Sequence, residues 1–264
     1  MTTVPEFRSR KGRGDALVVL TAYDAATAAA AAAGGVDAIL VGDSLGMVVL
    51  GHPSTLTVTM DDMIRHTSAV AHARGSILLI GDMPWLSYHL GARDAVRNAA
   101  RFVREGGADA VKLEGGRRRI DVIRAILDAE IPVMGHLGLT PQSVLRMGGY
   151  RVQGRGSDES EALLEDAKAL DDAGVFSIVL EGIPAPLARA ITASVRVPTI
   201  GIGAGAACDG QVLVVHDLLG LLPGPVPKFV RRYASLHETA AAAVGRWADD
   251  VRHGRFPGDQ ETYS

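Results

Sequence analysis

The sequence predicts an α/β fold in which eight parallel strands close into a barrel surrounded by helices. Eight short apolar runs of strand character occur along the chain, and most are separated by amphipathic or alanine-rich segments of helical length. Such alternation is typical of parallel β/α units. A single barrel of this kind commonly has about 250 residues, which suits the 264 residues of this chain.

The predicted strands are short and recur along the whole chain. They cover residues 16–22, 36–42, 77–81, 110–113, 132–135, 176–180, 198–202 and 212–215. Between them, Thr59 followed three residues later by Asp62 resembles a capping box, which predicts a helix start, and Gly75 is its expected stop. The alanine-rich tract 25–33 and the segment 94–106 predict two further helices.

The last part of the chain, residues 226–251, predicts a long final helix. We expect this helix to cover the outside of the barrel or to form a subunit contact. No linker is visible, so the sequence predicts a single domain over residues 1–264 with a helical extension from about 226.

Composition and charge argue against several classes of protein. The formal net charge is −3 and the basic clusters 8–13 and 117–119 are short, so nucleic acid is not an expected partner. The single cysteine, Cys208, cannot form an intrachain disulfide, which favours the reducing cytoplasm. No apolar run approaches the roughly 20 residues of a membrane span, and no secretory signal is visible at the N-terminus.

Polar side chains follow the apolar part of each predicted strand, where the catalytic face of a β/α barrel lies. Lys112 and Glu114 are two residues apart, so both side chains point to the same side of a strand. One Asp after a strand is usually a helix cap, but several acids converging around a lysine predict an active site. The candidates are Asp43, Ser44, Asp82, Lys112, Glu114, His136 and Glu181.

Four carboxylates at one barrel mouth, offset only by Lys112, would raise one another's pKa values. A bound cation would relieve that repulsion. Oxygen donors without a pair of cysteines favour Mg²⁺, which keeps several waters and leaves positions for a chelating substrate. His136 leaves a transition metal as an alternative.

A glycine-rich segment, residues 201–206, formally matches a dinucleotide-binding fingerprint. Such a fingerprint opens a helix in an early β/α/β unit, whereas this segment leads into another predicted strand. We therefore interpret it as a close-packed barrel turn. The connections 44–59 and 139–159 are longer than a barrel requires, which favours binding loops or lids.

Eight ordered motifs resemble the ketopantoate hydroxymethyltransferase family over nearly the whole chain. They are Leu-Thr-Ala-Tyr-Asp at 20–24, Val-Gly-Asp-Ser-Leu-Gly-Met at 41–47, Gly-Asp-Met-Pro at 81–84, Val-Lys-Leu-Glu-Gly-Gly at 111–116, Gly-His-Leu-Gly-Leu-Thr-Pro-Gln-Ser at 135–143, Gly-Gly-Tyr-Arg-Val-Gln-Gly-Arg at 148–155, Gly-Ile-Gly-Ala-Gly at 201–205 and His-Asp at 216–217. The resemblance implies a barrel of the phosphoenolpyruvate/pyruvate-binding type.

The resemblance also implies a role for each candidate residue. Asp43 and Asp82 would bind Mg²⁺, and Glu114 would support the metal. The 2-oxo acid would be held by Asp43, Ser44, Asp82 and Lys112, with His136 in a supporting role. Glu181 matches the catalytic base of the family. It is followed by Gly182, where relatives often carry a larger residue, so we expect a looser turn behind the base.

The implied reaction transfers a hydroxymethyl group from 5,10-methylenetetrahydrofolate to 3-methyl-2-oxobutanoate through a Mg²⁺-stabilised enolate, giving 2-dehydropantoate for pantothenate and coenzyme A biosynthesis. The implied assembly is a homo-oligomer, commonly a decamer. Two alternatives remain at this stage: another metal-dependent lyase or aldolase for pyruvate-like oxo acids, and a catalytically silent barrel that acts as a binding module. The loops 44–59 and 139–159 are the candidate folate contacts.

Overall fold

The computed structural model describes residues 2–263 and confirms the predicted barrel. Eight parallel strands pair in chain order, and the first closes on the eighth. The strands are β1 Leu17–Thr21, β2 Ala38–Val41, β3 Leu78–Asp82, β4 Ala110–Glu114, β5 Val133–Gly138, β6 Ser177–Glu181, β7 Thr199–Ile202 and β8 Gly210–Leu213. Residues 201–206 lead from β7 to β8 without a helix, as the barrel-turn interpretation requires.

Helices separate most of the strands. They are α1 Val4–Ser9, α2 Ala25–Ala33, α3 Leu45–Val48, α4 Met60–Ala71, α5 Ala92–Arg104, α6 Ile120–Asp128, α7 Val144–Met147, α8 Ser157–Ala173, α9 Ala185–Ser194, α10 Val215–Leu219 and α11 Leu236–Arg252. The predicted capping box is present, because Thr59 and Asp62 exchange side-chain and backbone hydrogen bonds. The helix that it starts ends at Ala71, before the expected stop at Gly75.

The chain forms two compact units that divide between Val215 and His216. The first contains all eight strands. In the second, α11 begins at Leu236 rather than near 226. Pro227, one residue after the predicted start, argues against a helix that begins at 226, because proline disfavours the helical conformation of the residue before it. The role of α11 as a barrel cover or subunit contact stays a prediction.

An N-terminal helix that the sequence analysis did not predict, α1, supplies a side chain to the barrel core. Thr3 and Glu6 form a capping box at its start. Phe7 on this helix is fully buried and packs edge-on against Phe176, with the ring centroids 5.8 Å apart. Both rings belong to the apolar cluster that fills the barrel.

The inside of the barrel changes from apolar to charged along its strands. Side chains two residues apart share a face of a strand. The apolar core includes Ile80, Ala110, Met134 and Val179. The residues two positions farther along the same strands are Asp82, Lys112, His136 and Glu181. The strands that build the core therefore also aim the polar side chains into the barrel mouth.

Two strand glycines let helices approach closely just before site residues. A Cβ atom on Gly81 would lie 2.2 Å from a ring carbon of Phe102, and one on Gly135 would lie 2.8 Å from a methyl carbon of Leu170. These contacts leave no room for a side chain on the outer face. The contacts of Phe102 with Gly81 and of Leu170 with Gly135 fix the position of each strand one residue before Asp82 and His136.

Candidate active site

A cluster of charged side chains occupies the mouth of the barrel. Asp43, Asp82, Lys112, Glu114 and His136 are at most 4% exposed, and the side chain of Glu181 is 16% exposed. Charged groups are rarely buried this deeply unless they are paired or bind a ligand. Each buried charge in the mouth therefore needs a partner.

Lys112 lies at the centre of the cluster. Its Nζ atom is 2.8 Å from Asp82 Oδ1 and 3.3 Å from His136 Nδ1. Burial acts to lower the pKa of Lys112, but the carboxylates of Asp82, Glu114 and Asp43 outweigh it and hold the pKa above its usual value. Lys112 is thus a permanent cation at neutral pH.

His136 connects Lys112 with Glu181. Burial, together with the charge of Lys112, lowers the pKa of His136, so the imidazole is neutral at neutral pH. Because an ammonium group can only donate, Nδ1 must accept from Lys112, which assigns the ring proton to Nε2. The Nε2 atom lies 3.2 Å from Glu181 Oε2, although it is not aligned for a good hydrogen bond.

Asp43 and Asp82 lie side by side. The backbone N–H of Asp43 donates to Asp82 Oδ2 at 3.2 Å. Burial, followed by the charge of Asp82, raises the pKa of Asp43 to about 7. Burial and the charge of Asp43 also raise the pKa of Glu114. The negative charge of the mouth is therefore in excess of what Lys112 neutralises.

The sequence analysis missed two residues that organise these carboxylates. The Gln142 side chain donates from Nε2 to Asp43 Oδ2 at 2.9 Å, and its backbone N–H donates to Glu114 Oε2 at 3.1 Å. The hydroxyl of Tyr88 donates to Gln142 Oε1 at 2.6 Å and accepts from the backbone N–H of Glu114 at 3.2 Å. Gln142 was signalled by its place in a long loop and in the family motif at 135–143, and Tyr88 by no pattern.

At the rim of the site, the two long loops that were predicted to bind ligands contact each other. The Tyr150 hydroxyl lies 3.7 Å from the sulfur of Met47, which places residues of loops 139–159 and 44–59 in contact. Ser44 is held at the start of α3 by a 2.8 Å hydrogen bond with the Tyr23 hydroxyl. The structure thus brings all seven candidate residues, or their immediate contacts, to one end of the barrel.

The turn behind Glu181 is held on both sides. Gly182 has φ +55°, and a Cβ there would lie 3.1 Å from Leu139 Cβ. Its N–H donates to Ile202 O at 2.9 Å, and its carbonyl accepts from Gln153 N–H at 2.9 Å. The structure therefore does not show the looser turn that the glycine predicted, because both backbone polar groups are hydrogen-bonded.

The donor set fits Mg²⁺. Among residues 2–263, no three His, Cys, Asp or Glu side chains form a ready-made metal cage, whereas Mg²⁺ usually takes one or two carboxylates and keeps several waters. Asp43 and Asp82 supply such a pair beside excess negative charge. Both ring nitrogens of His136 face Lys112 or Glu181, which leaves oxygen atoms as the available ligands.

Comparison with known proteins identifies the family. The sequence matches the family model described as ketopantoate hydroxymethyltransferase over residues 1–259. The chain belongs to the ketopantoate hydroxymethyltransferase family. It is 57% identical over 259 residues to the 3-methyl-2-oxobutanoate hydroxymethyltransferase of Moorella thermoacetica, a match that covers 98% of this chain and 96% of that protein. Membership of this family confirms the prediction of an enzyme.

Solved structures share the barrel fold. Phosphonopyruvate hydrolase in complex with oxalate and Mg²⁺ has a TM-score of 0.62 and 15% identity, covering 100% of this chain and 92% of that chain. The 2,3-dimethylmalate lyase, a PEP mutase/isocitrate lyase superfamily member, has a TM-score of 0.60 and 19% identity, covering 100% and 92%. At this identity the likeness establishes the fold alone. None of the helices described is both long and apolar enough to cross a bilayer.

Proposed function

We propose that the protein transfers a hydroxymethyl group from 5,10-methylenetetrahydrofolate to 3-methyl-2-oxobutanoate, giving 2-dehydropantoate for pantothenate and coenzyme A biosynthesis. Membership of the family supports the reaction. The observation that carries the proposal is the buried line of side chains Asp82, Lys112, His136 and Glu181, which holds a fixed cation beside a partly exposed carboxylate.

Glu181 is the proposed base that removes the C3 proton of the oxo acid. Of the acids in the mouth it is the most accessible, so its carboxylate is the most open to an incoming substrate. Neutral His136 carries its proton on Nε2, 3.2 Å from Glu181 Oε2, and would orient that carboxylate once the two groups align in the substrate complex. His136 is therefore a positioning residue in this proposal.

Lys112 stabilises the charge that proton removal creates. The negative charge of an enolate accumulates on the former keto oxygen, and a preorganised buried ammonium needs no reorganisation to interact with it. Asp82 holds Lys112 in place at 2.8 Å. Ser44, fixed by Tyr23, would add a hydrogen bond to the bound acid.

Asp43 and Asp82 would hold Mg²⁺, with Glu114 in support through its shared contact with Gln142. When bound, Mg²⁺ supplies Lewis acidity that makes the C3 proton more acidic. Two further residues would support the metal ligands: Gln142 orients Asp43, and Lys112 partly neutralises the surrounding carboxylates.

The second half of the reaction forms the C–C bond. One water molecule would add to the one-carbon unit of 5,10-methylenetetrahydrofolate and break both of its C–N bonds, which gives tetrahydrofolate and a carbonyl group at the oxidation level of formaldehyde. C3 of the enolate would then form the C–C bond to that carbonyl carbon as the C=O π bond breaks and leaves an alkoxide. In this proposal Glu181, protonated in the first half, returns its proton to that alkoxide, which becomes the new hydroxyl group.

The test is to incubate the protein with Mg²⁺, 3-methyl-2-oxobutanoate and ¹³C-labelled methylenetetrahydrofolate, and to follow the label by NMR. The proposal predicts a labelled hydroxymethyl group on 2-dehydropantoate. Cleavage or condensation of the oxo acid without folate would instead indicate a lyase or aldolase of the same barrel type.

The same family resemblance leads us to propose a cytoplasmic homo-oligomer, a decamer of two stacked pentameric rings. Sedimentation velocity of the full chain measures its mass. A monomer or dimer at working concentration would contradict this assembly.

A further inference from the structure

A cavity of about 980 Å³ lies beside the barrel mouth, over the ends of β4 and β5. Ligand sites generally measure about 300–1,000 Å³. A five-carbon oxo acid would fill only a small part of this volume. The cavity therefore has room for a second and much larger molecule.

The cavity is continuous with the active site. Glu114, Tyr88 and Gln142 line it, and the same three residues form the hydrogen-bond network that reaches Asp43. A molecule in the cavity would thus have one end beside the carboxylates of the mouth.

One wall carries unpaired positive charge. The 3-10 turn Arg117–Arg119 and Arg146 of α7 line the cavity. Arg117 is neutralised by Asp166, at 2.8 Å, and by Glu165. In the described part of the chain no carboxylate forms an ion pair with Arg118 or Arg146. Both side chains are exposed and are available to an anionic ligand.

Aromatic and apolar groups lie along the same cavity. Trp85 is 40% exposed and Leu145 is 80% exposed, and both line it. Arg119 sits over the ring of Tyr88, with its guanidinium carbon 5.7 Å from the ring centroid. Flat apolar surface next to free guanidinium groups suits a ligand with aromatic rings and carboxylates.

We propose that this cavity binds the folate co-substrate, with its rings against Trp85 and Leu145 and its glutamate carboxylates on Arg118 and Arg146. The inference rests on the proposed function, which requires a folate to deliver its one-carbon unit to the mouth. The cavity includes residues of both loops expected to contact folate, such as Leu56 and Thr140. The arginine turn after β4 lies outside those loops and was not predicted.

The test uses the double variant Arg118→Gln/Arg146→Gln in the full-length protein. Its KM for 5,10-methylenetetrahydrofolate should rise about five- to tenfold, because exposed charge pairs contribute modestly. The rise should be larger for the triglutamate than for the monoglutamate and smaller at high salt. The KM for 3-methyl-2-oxobutanoate should stay the same.

The matched control is Arg124→Gln on α6, which removes one exposed arginine that does not line the cavity. It should leave both KM values unchanged. Calorimetric titration of each protein with tetrahydrofolate triglutamate measures affinity independently of turnover. The double variant should bind this probe about five to ten times more weakly, again at the scale of two exposed charge pairs.

Tryptophan emission provides a second measurement, since the chain contains two tryptophans, Trp85 and Trp247. In Trp247→Phe, tetrahydrofolate should quench the remaining Trp85 emission, and Arg118→Gln/Arg146→Gln should weaken that quenching. No change in Trp85 emission while the probe binds in calorimetry would place the folate elsewhere.

Different experimental outcomes would overturn the folate assignment of the cavity and the proposed function. Turnover by the wild type with an unchanged folate KM in the double variant would overturn the cavity assignment and leave the proposed function standing. Arginine-dependent binding of tetrahydrofolate without any 2-dehydropantoate from the wild type would overturn the proposed function and support the folate cavity.

Discussion

The same strands build an apolar half and a charged half of the barrel interior, and burial affects the stability of the two halves in opposite ways. Toward the start of β3, Leu78 and Ile80 are buried in an apolar cluster, whereas Asp82 at its end is buried beside charge. Burial of apolar surface stabilises the fold, while burial of a carboxylate costs free energy unless a partner offsets it. The apolar core therefore offsets the free-energy cost of burying the charged side chains at the mouth.

The largest effect is expected in the mouth, from Glu181→Gln. The amide keeps the size of the side chain but cannot accept the C3 proton. The value of kcat should fall about 100- to 10,000-fold, with the thermal midpoint and Mg²⁺ affinity close to those of the wild type. Steady-state assays and calorimetry check both. Full activity in this variant would show that Glu181 is not the base and that the charged mouth does not depend on it for catalysis.

The matching change in the core is Ile80→Ala, two residues before Asp82 on the same face of β3. It should lower the free energy of unfolding by about 2–5 kcal/mol, the usual cost of truncating a buried aliphatic side chain to alanine. Denaturant titration measures this loss. Activity per folded molecule should be largely retained below the new midpoint. A loss as severe as that of Glu181→Gln would mean that the two halves are not separable.

A smaller, pH-dependent effect is expected for Asp43→Asn. The Asp43 carboxyl has a pKa of about 7 in the fold against an ordinary 3.8. Between these values the folded state binds more protons than the unfolded state, so metal-free stability falls as pH rises through this window. Asp43→Asn removes that loss, and its thermal midpoint in EDTA should exceed that of the wild type at pH values above the folded-state pKa.

The gain from Asp43→Asn should shrink as the pH falls toward the ordinary pKa of aspartate, where the wild-type carboxyl is protonated as well. Each kcal/mol corresponds to about 2–4 °C in a protein of this size, which scanning calorimetry resolves. Added Mg²⁺ should raise the midpoint of the wild type more than that of the variant. A variant less stable than the wild type at every pH would show that Asp43 is not under electrostatic strain.

The smallest effect is expected for Gly182→Ala. A left-handed backbone conformation costs a residue with a Cβ atom about 1–2 kcal/mol, and Gly182 has φ +55°. The free energy of unfolding should fall by about that amount, with kcat little changed because the hydrogen bonds to Ile202 and Gln153 hold the turn. A large loss of kcat would show that the turn aims the base more delicately than these bonds suggest.

The fold was predictable because strand and helix periodicity is local. All eight strands were identified, and the alternation of side chains along β4 is enough by itself to place Lys112 and Glu114 on one face. The α1 helix was missed because its six residues carry one buried side chain, Phe7, and short helices have no periodic signal. The start of α11 was misplaced because the helical pattern was followed through Pro227.

The part of the candidate site that lies at strand ends was predictable, and the part that lies in loops was not. Residues at strand ends were found because the barrel topology brings them together. Tyr88 and Gln142 come from loops, whose conformation depends on tertiary contacts rather than on periodicity. The order of contacts from Asp82 through Lys112 and His136 to Glu181 could not be predicted from the sequence. Four charged or polar side chains at neighbouring strand ends can pair in several ways, and only interatomic distances distinguish them.

We propose that the charged side chains of the mouth act together to remove the C3 proton of the oxo acid. The most direct measurement follows that proton in 3-methyl-2-oxobutanoate by NMR in D₂O, without folate, with Mg²⁺ or with a chelator. We predict that the C3 proton exchanges with D₂O only when Mg²⁺ is present, and that this exchange is lost in Glu181→Gln. Exchange that persists in Glu181→Gln, or its absence from the wild type with every divalent metal tried, would contradict it.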